Sequence, residues 1–235
     1  MDEDKMYLVS PAPHIREDIT IRGIMRDVLI ALIPALIAAV IFLGWRSLYV
    51  TAVCVFSCVM TEWIFVKLMK KKTNSIKDFS AAVTGVLLAF NLPVSAPWWM
   101  CVIGSVFAIA IVKVAFGGIG NNIVNPALCA RAFLLACFSA RMTGAAFIPA
   151  ADAVTSATPL SLLAEGISTG MPSYLDMFLG KMYGSIGEIS ALALLIGGIY
   201  LLIRKVITLR IPVFYLLTVA VFALIAGEDP LFHLL

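Results

Sequence analysis

The chain has 235 residues, 62% of them apolar and 13% charged, with a mean hydropathy of +1.03, a balance that excludes an ordinary water-soluble globular domain. The 17 Lys and Arg against 14 Asp and Glu leave a net charge of only +3, which gives no sign of nucleic-acid binding. Cys54, Cys58, Cys101, Cys129 and Cys137 all sit in apolar stretches without metal-ligand partners, so no disulfide framework or zinc site is indicated and small buried hydrophobe is the expected role.

A hydrocarbon core about 30 Å thick needs roughly 20 apolar helical residues, so charges and helix breakers delimit the spans. Residues 1–23 are polar and of mixed charge, lack the apolar stretch and cleavage site of a signal peptide, and are expected to remain as an amino-terminal arm. Five membrane spans are expected within 24–142. The first runs from Met25 to Leu43, and the second from Leu48 to Met69, ending in the lysine cluster Lys67, Lys70, Lys71 and Lys72. No charge occurs between Asp78 and Lys113, and a single helix of that length would measure about 50 Å, too long for one crossing. The breakers Asn91, Pro93 and Pro97 and the aromatic pair Trp98 and Trp99 divide it into a third span over 79–94 and a fourth over 98–116. A glycine-rich loop leads to a fifth span beginning at Ile123 or Pro126 and ending near Ala140. After a long connection over 143–187, spans six and seven are placed at Ile189–Ile203 and Ile211–Ala226, within a closing segment 188–235.

Cytoplasmic connections are enriched in Lys and Arg. Alternating spans put Lys5, Arg16, Arg22 and Arg26, the lysine cluster with Lys77, Lys113, and Arg204, Lys205 and Arg210 on one face. The opposite face receives Arg46, the uncharged turn at Pro93–Pro97, the connection 143–187, and Glu228 and Asp229. The expected fold is therefore an all-α, polytopic membrane helix bundle of about seven spans, with a glycine-interrupted helix pair. Its amino terminus is expected in the cytoplasm and its one large loop, 143–187, outside.

That loop contains Asp152-Ala153-Val154-Thr155-Ser156-Ala157-Thr158-Pro159-Leu160. On residue types alone it reads as a polar turn leading through Pro159 into an apolar run. The segment resembles the flavinylation motif of the family that comprises the NqrB subunit of sodium-pumping quinone reductases and the RnfD subunit of Rnf complexes. Two further stretches are similar to that family in the same order: Phe116-Gly117-Gly118-Ile119-Gly120-Asn121-Asn122-Ile123-Val124-Asn125-Pro126-Ala127 followed by Arg131, and Gly184-Ser185-Ile186-Gly187-Glu188. The resemblance extends over essentially the whole chain, and the Thr-Ser-Ala-Thr-Pro-Leu wording fits the RnfD branch better.

The resemblance implies FMN joined by a phosphoester to the hydroxyl of Thr158, attached by a separate flavin transferase. Small neighbours at Ser156 and Ala157, with Thr155 one step further, leave room for that enzyme, and Asp152 suits positioning the loop or binding the metal used in attachment. It also implies a second, noncovalent flavin, riboflavin, near Asn122 and Asn125, whose amides match the donors and acceptors of the ring. The alternative is a helix-packing loop whose asparagines satisfy themselves. Gly117, Gly118 and Gly120 permit positive φ, and Pro126 suits the first position of a helix. Arg131, whose charge at membrane depth costs about 2.5 to 3.5 kcal/mol, demands a partner, either cofactor or neighbouring helix.

Among acidic residues, Glu62 lies near the inner end of span two, where it could pass a cation, pair with a lysine or sit at the interface. Glu188, a second candidate for an ion pathway, and Asp27 equally suit helix amino termini. His14 and His233 are isolated and read as surface residues. Cys54 and Cys58 share a helix face without a second suitable pair, which argues against an iron-sulfur site within this chain.

As a family member the chain is expected to act as a redox subunit in a prokaryotic inner membrane. It would carry electrons between ferredoxin and NAD+, coupled to Na+ or H+ movement, beside iron-sulfur membrane subunits, a second FMN-bearing subunit and an NAD-binding subunit. A secondary transporter or a structural scaffold, both without flavin, are the alternatives, because glycine-broken helices also serve substrate sites and close packing. Members of the family usually continue with several more helices beyond span seven. The end at Leu235 is therefore expected to reflect truncation or a short member, and cavity geometry would depend on that portion.

Overall fold

The computed structural model describes residues 20–69, 75–143, 173–180 and 184–234. Asp152, Thr155, Ser156, Ala157 and Thr158 lie outside the described residues, as do most of the amino-terminal arm and Lys70–Lys72. All regular elements among the described residues are helical: α1 (Ile21–Leu43), α2 (Trp45–Leu68), α3 (Ser80–Phe90), α4 (Trp98–Val106), α5 (Pro126–Cys137), α6 (Tyr174–Leu179), α7 (Ala191–Ile203), α8 (Arg210–Ala226) and α9 (Pro230–Leu234), with short 3-10 turns at Ser75–Asp78 and Ser139–Arg141. α4 runs on into a π-helical segment, Phe107–Val114.

α1 starts where the Thr20 side chain accepts the Gly23 N–H, and it buries Asp27, Ala31, Ala35, Ala39 and Leu43, one residue in every four. That stripe of mostly small side chains admits α7 closely, as small residues do where helices pack in lipid. A Cβ at Gly197 of α7 would collide with the Ala31 carbonyl oxygen, whereas a Cβ at Gly198 would meet open space. Gly197→Ala is therefore expected to push the two helices apart at a cost of about 1–3 kcal/mol. Gly198→Ala should leave stability within about 0.5 kcal/mol, and thermal unfolding in detergent compares them. The opposite face of α1 exposes Ile30, Ile33, Ile37 and Ile41. Exposed apolar rows of this kind are tolerated where lipid or another apolar surface covers them, and the chain is a membrane protein.

α1 and α2 are the described helices both long and apolar enough to cross a bilayer by themselves. They are joined through Gly44 alone, which takes φ +80 and lets the Ser47 N–H and hydroxyl both reach its carbonyl. The predicted spans over 79–94 and Ile123–Ala140 are realised as shorter helices: α3 has 11 residues and α5 has 12, about 16 and 18 Å at the helical rise.

Around the break between α3 and α4 the backbone carbonyls are satisfied by one local and several distant groups. Asn91 Nδ2 donates to the Leu87 carbonyl, Arg46 donates to the carbonyls of Val94 and Ser95, and the Gly187 and Ile186 N–H groups donate to the carbonyls of Phe90 and Leu92. Nonhelical backbone at depth requires such partners. Gly187 is needed for the approach, since a Cβ there would lie 2.5 Å from Phe90 Cβ.

Polar side chains pair where helix ends meet. At one end Glu62, Ser80 and Lys113 meet, and Asp27 pairs with Arg204 at 3.1 Å. At the other, Arg46 clasps the 94–95 turn, and the Tyr174 hydroxyl donates to Asp229. That bond holds the Asp229 carboxyl below its ordinary range and raises the Tyr174 phenol. Cys54, Cys58 and Cys101 are buried as expected, while Cys129 is partly covered and Cys137 exposed. α4 also brings Cys101 into the buried cluster that holds Cys54, which the Cys54 and Cys58 spacing does not announce.

Candidate functional site

The π-helical segment widens the turns that follow α4, so that the Ala115 N–H reaches back to Ala110 and the Gly118 N–H to the Lys113 carbonyl at 2.9 Å. Gly117, Gly118 and Gly120 then follow at φ +112, +96 and +87, the left-handed region that glycine adopts without steric cost. A Cβ at Gly118 or Gly120 would meet nothing within 4 Å. These glycines therefore shape the backbone, and open space lies against it.

The two candidate asparagines divide their work. Asn125 Oδ1 caps α5, accepting the N–H groups of Ala127 and Leu128 at 3.0 and 3.4 Å, with Pro126 in the first turn as expected. Its oxygen is thereby committed to the helix, leaving the Nδ2 group for a ligand. Asn122 Oδ1 is buried and has no hydrogen-bond partner. A buried acceptor left unmade costs about 1–3 kcal/mol, and such an atom marks a place where a donor is wanted.

Arg131 finds the partners its charge demands. Nη1 donates to Asn91 Oδ1 at 3.2 Å and lies 4.0 Å from Glu188 Oε1, with Arg131 39% and Glu188 58% exposed. Glu188 stands in the turn before α7, whose first turn is capped instead by Ser190. The second glycine motif thus joins α5 and α3 through Arg131, Asn91 and the backbone bonds at Phe90 and Leu92. Ser185 in the same motif is fully buried, with its Oγ unpartnered. Sequence reasoning took Asn91 for a helix breaker and missed its tie to Arg131, 40 residues away. An asparagine ending an uncharged helix was the available signal.

Glu62 is paired with a lysine, one of the roles left open for it. Lys113 Nζ lies 2.8 Å from Glu62 Oε1 and 2.5 Å from Ser80 Oγ, with Lys113 and Glu62 only 2% and 1% exposed. Lys113, counted from the sequence as one of the charges marking a cytoplasmic connection, is the largest fully buried side chain among the described residues. Ser80 opens α3, and its N–H donates to Asp78 Oδ1 at 2.9 Å.

Chemically, the first region offers an open glycine-lined backbone, an unpaired amide oxygen and an amide N–H2 group, which fits a planar ligand rich in donors and acceptors. The second is a guanidinium, amide and carboxylate link that fixes α5 against the broken turn. The third is a buried, charge-neutral carboxylate and ammonium with a hydroxyl between helices.

The family model for NQR2, RnfD and RnfE matches residues 8–235. A subunit of the Na+-translocating ferredoxin:NAD+ oxidoreductase complex of Acetobacterium woodii is 57% identical over 228 residues, 96% of this chain and 71% of that protein. The equivalent subunit of the proton-translocating ferredoxin:NAD+ oxidoreductase complex of Clostridium ljungdahlii is 38% identical, across 98% of this chain and 74% of its own length. Its counterpart in an ion-translocating oxidoreductase complex of Halorhodospira halophila is 36% identical, across 90% of this chain and 68% of its own. With a match over nearly every residue and relatives that share more than two thirds of their length with it, the chain belongs to the NQR2, RnfD, RnfE family.

Proposed function

We propose that this chain is the RnfD-type subunit of a complex that passes electrons between ferredoxin and NAD+ and uses them to move a cation across the membrane. The observation that carries the reading is the 57% identity, over 96% of the chain, to a subunit of a complex named for that activity. Na+ is the favoured cation, because the relative named for proton translocation shares 38%. The chain is not catalytic alone. Its partners are the iron-sulfur membrane subunits, a second FMN-bearing subunit and an NAD-binding subunit, with a flavin transferase acting during maturation.

FMN is held by a phosphoester to Thr158, with Asp152, Thr155, Ser156 and Ala157 forming the acceptor segment on the external face. Riboflavin is held at the glycine-asparagine loop, for which the unpaired Asn122 Oδ1 and the open space at Gly118 and Gly120 speak. When bound, a flavin supplies redox chemistry in steps of one or two electrons, and the protein supplies its distance, orientation and environment. Asn122 Oδ1 would accept a ring N–H, and the Asn125 Nδ2 group would donate to a ring carbonyl. Arg131 sets the angle of α5, and so the position of Asn125 at its start. The cytoplasmic face is that of Lys67, Lys77 and Arg204, by the positive-inside count.

Two measurements test this reading. Inverted vesicles carrying the complex should couple ferredoxin-dependent NAD+ reduction to Na+ uptake, and electron transfer with neither Na+ nor H+ movement would refute it. Asn122→Leu is expected to lower acid-extractable riboflavin at least about tenfold, the cost of leaving ring donors opposite an apolar group, while gel-stable flavin persists. A complex that never holds flavin would point instead to a solute carrier or a scaffold.

A further inference from the structure

We propose that Lys113 is a tethered counter-cation: its ammonium occupies the Glu62 carboxylate until a sodium ion displaces it, so that Glu62 and Ser80 serve as oxygen ligands of a cation-exchange site. This rests on the reading that the complex moves a cation.

The first support is energetic. A fully buried ion pair is a poor means of stabilising a bundle, since an apolar pair of similar volume does as well or better. Ionisable side chains kept inside a membrane protein generally mark ion paths. Glu62 lies six residues before the end of α2, about 9 Å along its axis, and is 1% exposed, unlike a solvated carboxylate at a helix end. The donors also suit the ligand, because carboxylate and hydroxyl oxygens are the groups that hard cations prefer. Exchange of one ammonium for one Na+ leaves the net charge of the site unchanged. Ser80 is in turn tied to a second carboxylate, since its backbone N–H donates to Asp78 Oδ1.

The second support is where Lys113 is mounted. It stands in the π-helical segment Phe107–Val114, and single wide turns of this kind are common at functional sites. Its own carbonyl accepts the Gly118 N–H, and Gly117 N–H bonds to Val114. The backbone that aims the ammonium at Glu62 is thus hydrogen-bonded to the glycine loop that leads to Asn122. A change in that loop is transmitted to the lysine without any other element having to move. Among the described residues this is the one backbone connection from the candidate flavin loop to a buried charge.

The test uses the whole complex in liposomes, with radioactive Na+ uptake measured per NADH formed over a range of Na+ concentrations. Lys113→Gln should lower the half-saturating Na+ concentration at least about tenfold by leaving Glu62 open. Lys113→Arg, whose planar fork grips a carboxylate through two parallel bonds, should raise it by about as much. Glu62→Gln combined with Lys113→Gln should lower Na+ taken up per NADH at least about tenfold. An unchanged half-saturation in both single variants, or normal uptake per NADH in the double variant, would overturn the proposal and leave the pair as packing. Should Lys113→Gln, which leaves the buried Glu62 carboxylate without its ammonium, or the double variant fail to assemble, the Lys113→Arg result alone decides. If the unmodified complex takes up no Na+ at all, the reading of sodium coupling fails, a result separate from any behaviour of the variants.

Discussion

Thr158→Ala is expected to remove covalent flavin completely. On a denaturing gel, the protein made with its transferase should fluoresce under ultraviolet light, and the variant band should be dark. The expectation follows from bond chemistry, because a phosphoester needs an alcohol and alanine has none. Thr155→Ala and Ser156→Ala, which remove neighbouring hydroxyls, should keep fluorescence at more than about half the normal level, since Thr158 would remain accessible. Asp152→Ala should slow incorporation by removing a carboxylate suited to a metal. Equal fluorescence in the Thr158 variant would show that the anchor lies elsewhere. Ferredoxin-dependent NAD+ reduction by the complex is expected to fall with the band, because no other hydroxyl replaces the tether.

Glu62→Leu alone is expected to have the largest effect on stability. It strands the Lys113 ammonium at 2% exposure with Ser80 Oγ as its remaining polar contact among those described above. Leaving one buried charge uncompensated costs about 3–5 kcal/mol, a large part of the margin of an ordinary domain. Little folded protein should then reach the membrane, as judged by monodisperse yield and thermal unfolding in detergent. Adding Lys113→Met should recover most of that loss, because two apolar side chains of similar volume restore neutrality. Arg131→Leu provides the contrast. Arg131 is 39% exposed and its carboxylate neighbour Glu188 is 58% exposed at 4.0 Å, so solvent screening keeps the penalty near about 1 kcal/mol. If Glu62→Leu proved as mild as Arg131→Leu, the buried pair would not be a structural necessity.

Local signals were legible and long-range ones were not. The carboxy-terminal ends of helices α1, α7 and α8, and the start of α5 at Asn125 and Pro126, followed from charges, glycines and capping residues that act within a turn. The shortness of α3 did not follow, because the groups that satisfy the broken backbone at 91–97 come from Arg46 and from Ile186 and Gly187. Nothing within 79–97 announces them. The pairing of Glu62 with Lys113 bridges 51 residues, and a lysine near a helix end carries the same signature whether it faces water or a carboxylate. The glycines at 117, 118 and 120 were readable as positive-φ positions. That Asn125 spends its oxygen on a cap while Asn122 keeps its own unpaired depends on side-chain geometry that spacing does not encode.

Intact-mass spectrometry of this polypeptide, released from the complex of its native host, reads the flavin tether without intermediaries. The expected mass exceeds that of the sequence by one FMN less one water, with the addition on the peptide that contains Thr158. A mass equal to that of the bare chain would contradict it.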